Sequence, residues 1–224
     1  MEGSAVQQRR KASLQCSAVH GGAWWQARHD GGVEPLRPPR LTDGVIGLRA
    51  LEERDVPAIV AACQDPEIPR WTRVPSPYTQ DDAHAYIAIA RADAAVGVGL
   101  SLAIADEADA FIGTIGLMDV DRALGTAEIG YWTAATARGR GVTVRAIVLL
   151  RDWVVRELGL TTLDILPHRD NVASRTVAER AGFAWTGELA TIRRMPPGRQ
   201  QGYRVHRWHS GQPRATSRRP GAPT

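Results

Sequence analysis

One stretch of the chain combines a strand pattern, a turn with two glycines and a long helix pattern. Thr126–Trp132 predicts a strand, and Arg138-Gly-Arg-Gly-Val-Thr143 predicts a turn that opens a helix running from Val142 to Leu158. Such a turn directs several backbone N–H groups and the positive end of the helix to one point. The stretch therefore predicts a site for an anionic group, most simply a pyrophosphate. It is not a Walker loop, because no Gly-Lys-Ser/Thr follows, nor a Rossmann fingerprint, because the third glycine is missing.

The remaining patterns predict a mixed α/β fold in which strands first cluster and then alternate with helices. Several prolines, from Pro66 to Pro77, predict a loop that carries Arg70 and Trp71. The predicted strands are 44–50, 98–105, 110–118, 161–166 and a final set from residue 183, and the predicted helices are 52–64 with Asp55 as N-cap, 79–94 and 172–181.

Both ends of the chain differ in composition from its middle. Residues 1–40 and 210–224 are rich in glycine, proline and arginine, and each segment carries three more basic than acidic side chains. We expect a disordered N-terminal extension, in which Trp24-Trp25 is the exception, and a disordered basic C-terminal tail. Because the whole chain carries +4, residues 41–209 are mildly acidic, which argues against a groove for nucleic acid.

Other classes of protein are excluded by what the sequence lacks. It has no run of about 18 apolar residues and no secretory signal pattern, so we expect a cytoplasmic protein without a membrane partner. Cys16 and Cys63 cannot form a disulfide framework or a zinc site by themselves. His206 and His209 face opposite sides of a predicted strand, so no metal site is expected.

Several spaced motifs carry a resemblance to a known family. In order and spacing they resemble the GNAT acetyltransferases, and within that family the RimJ/RimL type that acetylates ribosomal-protein N-termini. The resemblance covers about 41–209 and implies the GNAT fold: a mixed, mostly antiparallel twisted sheet with splayed central strands and about four flanking helices. The motifs are Thr42-Asp-Gly, Leu48-Arg-Ala-Leu, Asp65-Pro-Glu, Phe111-Ile-Gly-Thr-Ile-Gly116, Glu128–Trp132, Arg138–Gly141, Gly159-Leu160, Asn171-Val-Ala-Ser174 and Glu179-Arg-Ala-Gly-Phe183.

The resemblance also implies acetyl-CoA as co-substrate. Its pyrophosphate would lie on the turn, its pantetheine would run beside the preceding strand, and Asn171 would bind the cofactor arm. Thr143 stands where the family usually has glycine or alanine, and Ala178 stands where it often has a tyrosine acid. The implied cofactor-binding residues are Ile129, Tyr131, Trp132, Thr133, Arg138, Gly139, Arg140, Gly141, Val142, Thr143 and Asn171.

The implied reaction transfers acetyl to a primary amine, either a protein N-terminus or a small amine. Such a reaction needs a base near neutral pKa and a group that stabilises the leaving thiolate. Glu128 is the candidate base, with Asp164 as the alternative, and Ser174 is the candidate group for the thiolate. Arg70 and Trp71 are candidates for the acceptor pocket. The rival hypothesis is a non-catalytic module that binds acyl-CoA, and the oligomeric state stays open, although dimers are common among the proteins that the chain resembles.

Overall fold

An eight-stranded sheet organises residues 34–211, which are the residues that the computed structural model describes. Its strand order is β1-β2-β3-β4-β5-β6-β8-β7, and every neighbouring pair is antiparallel except β5 and β6. Because parallel neighbours need a crossover, a long helix joins these two strands. The strands are β1 Leu41–Thr42, β2 Gly47–Ala50, β3 Leu100–Ala105, β4 Phe111–Asp121, β5 Thr126–Thr133, β6 Thr162–Ile165, β7 Ala184–Ala190 and β8 Tyr203–His209.

Five α-helices flank the sheet in the described part of the chain, so the predicted fold class is confirmed with one more helix than expected. The crossover helix continues into a single π-helical stretch, Val154–Leu158, and ends at Gly159 in the left-handed conformation. None of the helices within residues 34–211 has both the length and the apolarity to cross a membrane. The helices are α1 Val56–Cys63, α2 Glu67–Trp71, α3 Gln80–Ala95, α4 Val142–Trp153 and α5 Val172–Arg180.

The extra helix, α2, replaces part of the predicted proline-rich loop. Pro69 lies in its first turn, where a backbone N–H would have no partner inside the helix, so proline is tolerated there. The Asp65 side chain accepts a hydrogen bond from the amide of Glu67 and helps to start the helix. The predicted loop at these residues was therefore wrong.

Two further local predictions were right only in part. The predicted strand 44–50 is a turn up to residue 46, because Gly44 has a φ of +86° and the Asp43 carboxylate accepts from the amides of Val45 and Ile46. Asp55 is the N-cap residue of α1 as predicted, but its side chain makes no capping hydrogen bond to the helix. Its carboxylate is instead buried in a two-pronged pair with Arg49, at 2.8 Å to each nitrogen.

The helices cover the two faces of the sheet with separate apolar clusters. On one face Ile147 and Leu150 of α4 and Val154 of the π-helical stretch pack over the central strands, together with Ala178 of α5. On the other face α1 and α3 form the second cluster, which includes Ile59. Burying both faces in this way is what holds the central strands in place.

Leu36 also belongs to the core, although it precedes residue 41. Its side chain is 3% exposed in the main apolar cluster, and its amide donates to the carbonyl of Ala94 at the end of α3. Leu36 is therefore packed with the core, although it lies within the segment 1–40 that we expected to be an extension. Trp24-Trp25, like residues 1–33 and 212–224, lies outside the described residues.

The middle of the sheet opens where the two parallel strands part. Pairing between β5 and β6 runs from Thr126–Thr162 to Glu128–Asp164 and goes no further, whereas β5 stays paired with β4 as far as Thr133. From Ile129 onward, one edge of β5 thus has no β6 partner. The gap lies between β5 and β6, beyond the pair Glu128–Asp164.

Candidate active site

The predicted glycine turn is formed as expected at the start of α4. Gly139 and Gly141 both have a φ of +73°, which a residue with a Cβ adopts only with strain. A Cβ built on either glycine would meet no atom within 4 Å, so the turn faces open space. Since the first amides of a helix have no acceptor inside the helix, the turn and α4 form a cradle that fits an anionic group.

Other residues of the turn have different roles. Arg138 is tied inward, because its guanidinium pairs with Asp65 at 2.6 Å and donates to the carbonyl of Thr133 at 3.2 Å. Arg140 is exposed, Val142 is buried and Thr143 is half-buried. Arg138 therefore braces the turn against the start of α2, and Arg140 is the arginine at its open rim.

Side chains of β5 divide between the two faces of the sheet. Ile129 and Tyr131 join the apolar cluster under α4, whereas Trp132 packs edge-on against Phe111 on the side of α1 and α3, with ring centroids 5.7 Å apart. Because side chains alternate along a strand, Glu128 shares the face of Trp132. The candidate base thus lies on one face and Tyr131 on the other.

Ser174 and Tyr131 meet on the α4 face. The Tyr131 hydroxyl lies 2.9 Å from Ser174 Oγ and also donates to the Ser174 carbonyl at 3.2 Å. Burial raises the pKa of Tyr131 to about 12, so its hydroxyl keeps its proton at neutral pH. Asn171 caps α5 by accepting from the amide of Ser174 at 3.0 Å, which fixes the turn that carries the serine. Tyr131 of β5 therefore lies beside Ser174 of α5, and this is the helix in which Ala178 occupies the position of the tyrosine that the resemblance would imply.

The Glu128 side chain is buried next to the guanidinium of Arg194, a residue that no sequence pattern indicated. Its Oε1 pairs with Nη2 of Arg194, and Nη1 of the same guanidinium pairs with Asp119 at 2.6 Å. The Glu128 side chain is 13% exposed. Burial raises the pKa of Glu128 above its ordinary value, while the charge of Arg194 acts in the opposite direction. Arg194 comes from an irregular segment far along the chain, where no spacing signal points to it.

Asp164, the alternative base, is held in a different way. Arg207 on β8 donates to both of its oxygens, at 2.7 Å each. In this two-pronged arrangement, one guanidinium donates a hydrogen bond to each oxygen of the carboxylate. Both oxygens of Asp164 are therefore occupied by hydrogen bonds from Arg207.

The candidate acceptor residues lie at the end of α2. The Trp71 indole donates to Glu67 at 2.9 Å, and its ring centroid lies 5.8 Å from that of His168. His168 in turn meets the Tyr203 ring edge-on at 5.4 Å. Arg70 lies over the indole with its guanidinium 4.7 Å from the ring centroid. The sequence identified Arg70 and Trp71 but not the two rings beyond them.

The segment 191–202, which we call the β7–β8 loop, closes this side of the site. Arg199 in the loop donates to three carbonyls around the end of α2: those of Pro69 at 2.5 Å, Arg70 at 2.9 Å and Thr72 at 3.3 Å. Arg194 of the same loop reaches Glu128. One loop thus connects the candidate acceptor residues with the candidate base.

Comparison with known proteins identifies the family. The family model described as an acetyltransferase (GNAT) domain matches residues 46–184. YjcK of Bacillus subtilis (strain 168), named a probable N-acetyltransferase, is 37% identical over 76 residues, which cover 34% of this chain and 42% of YjcK. The alignment thus spans less than half the length of this relative.

Solved structures share the fold. RimJ of Mycobacterium smegmatis, in complex with CoA-disulfide, has a TM-score of 0.66 and 23% identity, over 80% of this chain and 89% of RimJ. Spermidine N-acetyltransferase from Vibrio cholerae, in complex with CoA and spermine, has a TM-score of 0.62 and 19% identity, over 75% of this chain and 96% of that one.

Proposed function

The chain belongs to the GNAT family of acetyltransferases, and we propose that it moves an acetyl group from acetyl-CoA to a primary amine. The acceptor would be a protein N-terminus or a small amine. One observation carries the proposal: the gap beside β5 opens next to Glu128 on one face and the Tyr131–Ser174 pair on the other. A thioester placed in that gap would have a base on the acceptor side and hydroxyl groups on the thiol side.

The cofactor would be held mainly by backbone groups. The amides at the start of α4, after Gly139 and Gly141, would bind the pyrophosphate, and the free edge of Ile129–Thr133 would bind the pantetheine as a neighbouring strand does. The Asn171 carboxamide uses its oxygen for the cap, so its NH₂ group would be the donor toward the cofactor arm. The CoA and CoA-disulfide bound in two proteins of the same fold support a cofactor of this class.

Glu128 would take the proton from the incoming ammonium group. An acceptor amine is mostly protonated at neutral pH and must lose that proton before it can attack the acetyl carbonyl. Burial raises the pKa of Glu128, which makes its carboxylate a better proton acceptor than an exposed one. Acetyl-CoA supplies the activated acetyl group when it is bound.

Ser174 would stabilise the thiolate that leaves, with Tyr131 as its hydrogen-bond partner. The pKa of Tyr131, raised to about 12 by burial, keeps its hydroxyl a donor throughout the neutral range. A donor aimed at a developing negative charge stabilises the transition state more than the ground state. The serine and the strand tyrosine together would replace the absent helix tyrosine at Ala178.

One of the solved structures supports the small-amine class of acceptor that we propose. RimJ and spermidine N-acetyltransferase share this fold, and the name of the second specifies a small polyamine. A panel that contains short peptides with free N-termini and small amines therefore tests the proposal, with release of free thiol from acetyl-CoA as the readout. Binding of acetyl-CoA without thiol release for any amine would favour the rival module that only binds acyl-CoA.

The base is tested by Glu128→Gln, with Asp164→Asn as the matched variant. General-base assistance is typically worth about 10²–10⁴-fold, so kcat/KM of Glu128→Gln should fall within about that range while acetyl-CoA affinity stays nearly constant. The deficit should shrink as pH rises toward the pKa of the acceptor, since the free amine then forms without help. Asp164→Asn should be the milder change. Wild-type turnover of Glu128→Gln at neutral pH would refute the assignment.

A further inference from the structure

The Arg194 guanidinium lies between two carboxylates of different exposure. It contacts Glu128, whose side chain is 13% exposed, and Asp119, whose side chain is 69% exposed. Arg194 itself is 26% exposed, so the contact with Glu128 is shielded from water and the contact with Asp119 is open to it. A shielded pair is screened much less by solvent than an exposed one.

The backbone around Asp119 departs from regular strand geometry. Asp119 has a φ of +51°, which is uncommon for a residue with a side chain, and the pairing of β4 with β5 is irregular between Met118 and Asp121. The irregularity lifts Asp119 out of the regular ladder, across from the segment that carries Arg194. Backbone strain of this kind clusters at functional sites.

Three charged groups act on the pKa of Glu128, and they come from different elements. Arg194 of the β7–β8 loop contacts it directly, Asp119 of β4 repels it, and Arg73 after α2 attracts it more weakly. Asp164 is its register partner on β6, and Arg207 neutralises that carboxylate with two hydrogen bonds. The cation in contact with Glu128 and the nearby anion therefore have opposite effects on its protonation.

We infer that Arg194 is a positioning residue that holds Glu128 as an oriented carboxylate, and that Asp119 keeps Arg194 paired when Glu128 takes up the acceptor's proton. The inference rests on the proposed function, in which Glu128 is the base. An ion pair with a single partner would leave a shielded guanidinium without a counterion as soon as the base is protonated, and that state is unfavourable. With Asp119 in contact, Arg194 keeps one carboxylate in both protonation states.

The β7–β8 loop is anchored so that Arg194 stays in place. Arg199 fixes the loop to three carbonyls at the end of α2, and Ile192 and Met195 on either side of Arg194 are buried with Tyr203. A loop that is held by buried contacts on both sides of a residue positions that side chain better than an unattached loop does.

The test is the pH dependence of kcat/KM for Arg194→Gln and Asp119→Asn in the full chain. Without Arg194, burial and Asp119 act unopposed by the contacting cation, so the acidic limb of the profile should move to higher pH, by about one unit or more. Without the Asp119 charge, the limb should move to lower pH. Asparagine tolerates a positive φ, so this variant keeps the backbone. Arg194→Lys should restore part of the wild-type profile.

Arg193→Gln is the matched control, because it removes one positive charge from the exposed neighbour in the same loop. It should leave the acidic limb of the profile where it is.

A purely structural role for Arg194 would lower kcat/KM at every pH without moving the limb. Shifts in the same direction for Arg194→Gln and Asp119→Asn would also overturn the inference. If Glu128→Gln lowers kcat/KM but Arg194→Gln leaves the limb in place, this inference fails alone. Full activity of Glu128→Gln would refute the proposed base and this inference together.

Discussion

Gly141→Ala isolates the role of the glycine turn in cofactor binding. A Cβ at this position meets no atom within 4 Å, so the substitution introduces no clash in the protein. Its whole effect comes from the φ of +73°, which for an L-residue costs about 1–2 kcal/mol. The free variant can relax toward negative φ, which turns the amides at the start of α4 away from the cradle.

Binding of the pyrophosphate must then restore the original backbone, and the affinity falls by the same free energy. We expect the Kd for acetyl-CoA to rise about 5–30-fold, measured by titration calorimetry. The loss should be the same for CoA, because the acetyl group lies at the other end of the molecule. Thermal unfolding of the free variant should change little, since the strain is released when no ligand is bound.

Gly44→Ala is the control for this prediction. Gly44 has a φ of +86° and lies in the turn before β2, and a Cβ added to it would also meet no atom within 4 Å. This variant should bind acetyl-CoA like the wild type. An unchanged Kd for Gly141→Ala, or an equal change in both variants, would show that the turn does not bind the pyrophosphate in the way we propose.

Two further predictions concern the thiol side and the core. Tyr131→Phe removes the partner of Ser174 Oγ, so kcat should fall about two- to tenfold with little change in acetyl-CoA affinity, measured by thiol release; wild-type kcat would show that Ser174 acts without it. Leu36→Ala should destabilise the chain by about 2–5 kcal/mol in thermal unfolding, whereas exposed Val45→Ala should change stability by less than about 0.5 kcal/mol. Equal effects would place Leu36 outside the core.

Local sequence patterns were sufficient for the mixed α/β class and for the glycine turn that opens α4, whereas the GNAT fold was implied by the resemblance of the spaced motifs to that family. The turn around Gly139 and Gly141 has a backbone conformation that few residues other than glycine adopt, and the helix that follows has one apolar face. Both signals lie within a few residues of the structure that they determine. The same holds for Asn171 and Ser174, whose spacing is that of a helix cap.

Contacts between distant segments were not predictable in this way. Arg194 reaches Glu128 from an irregular loop, and neither periodicity nor a turn motif links the two positions. The Tyr131–Ser174 hydrogen bond also joins a strand to a helix that follows much later in the chain. Such pairs depend on how the elements pack, and a single sequence carries no local record of that packing.

The attachment of Arg199 to α2 uses main-chain oxygens only. All three acceptors are carbonyls, so the attachment does not depend on which side chains occupy positions 70 and 71. Substitutions at Arg70 and Trp71 can therefore change the surface that we propose for the acceptor while the β7–β8 loop stays fixed and Arg194 stays paired with Glu128. In evolutionary terms, acceptor preference at this end of the site is free to diverge independently of the catalytic apparatus, and related chains with different acceptors should differ at these two positions before they differ at Arg199.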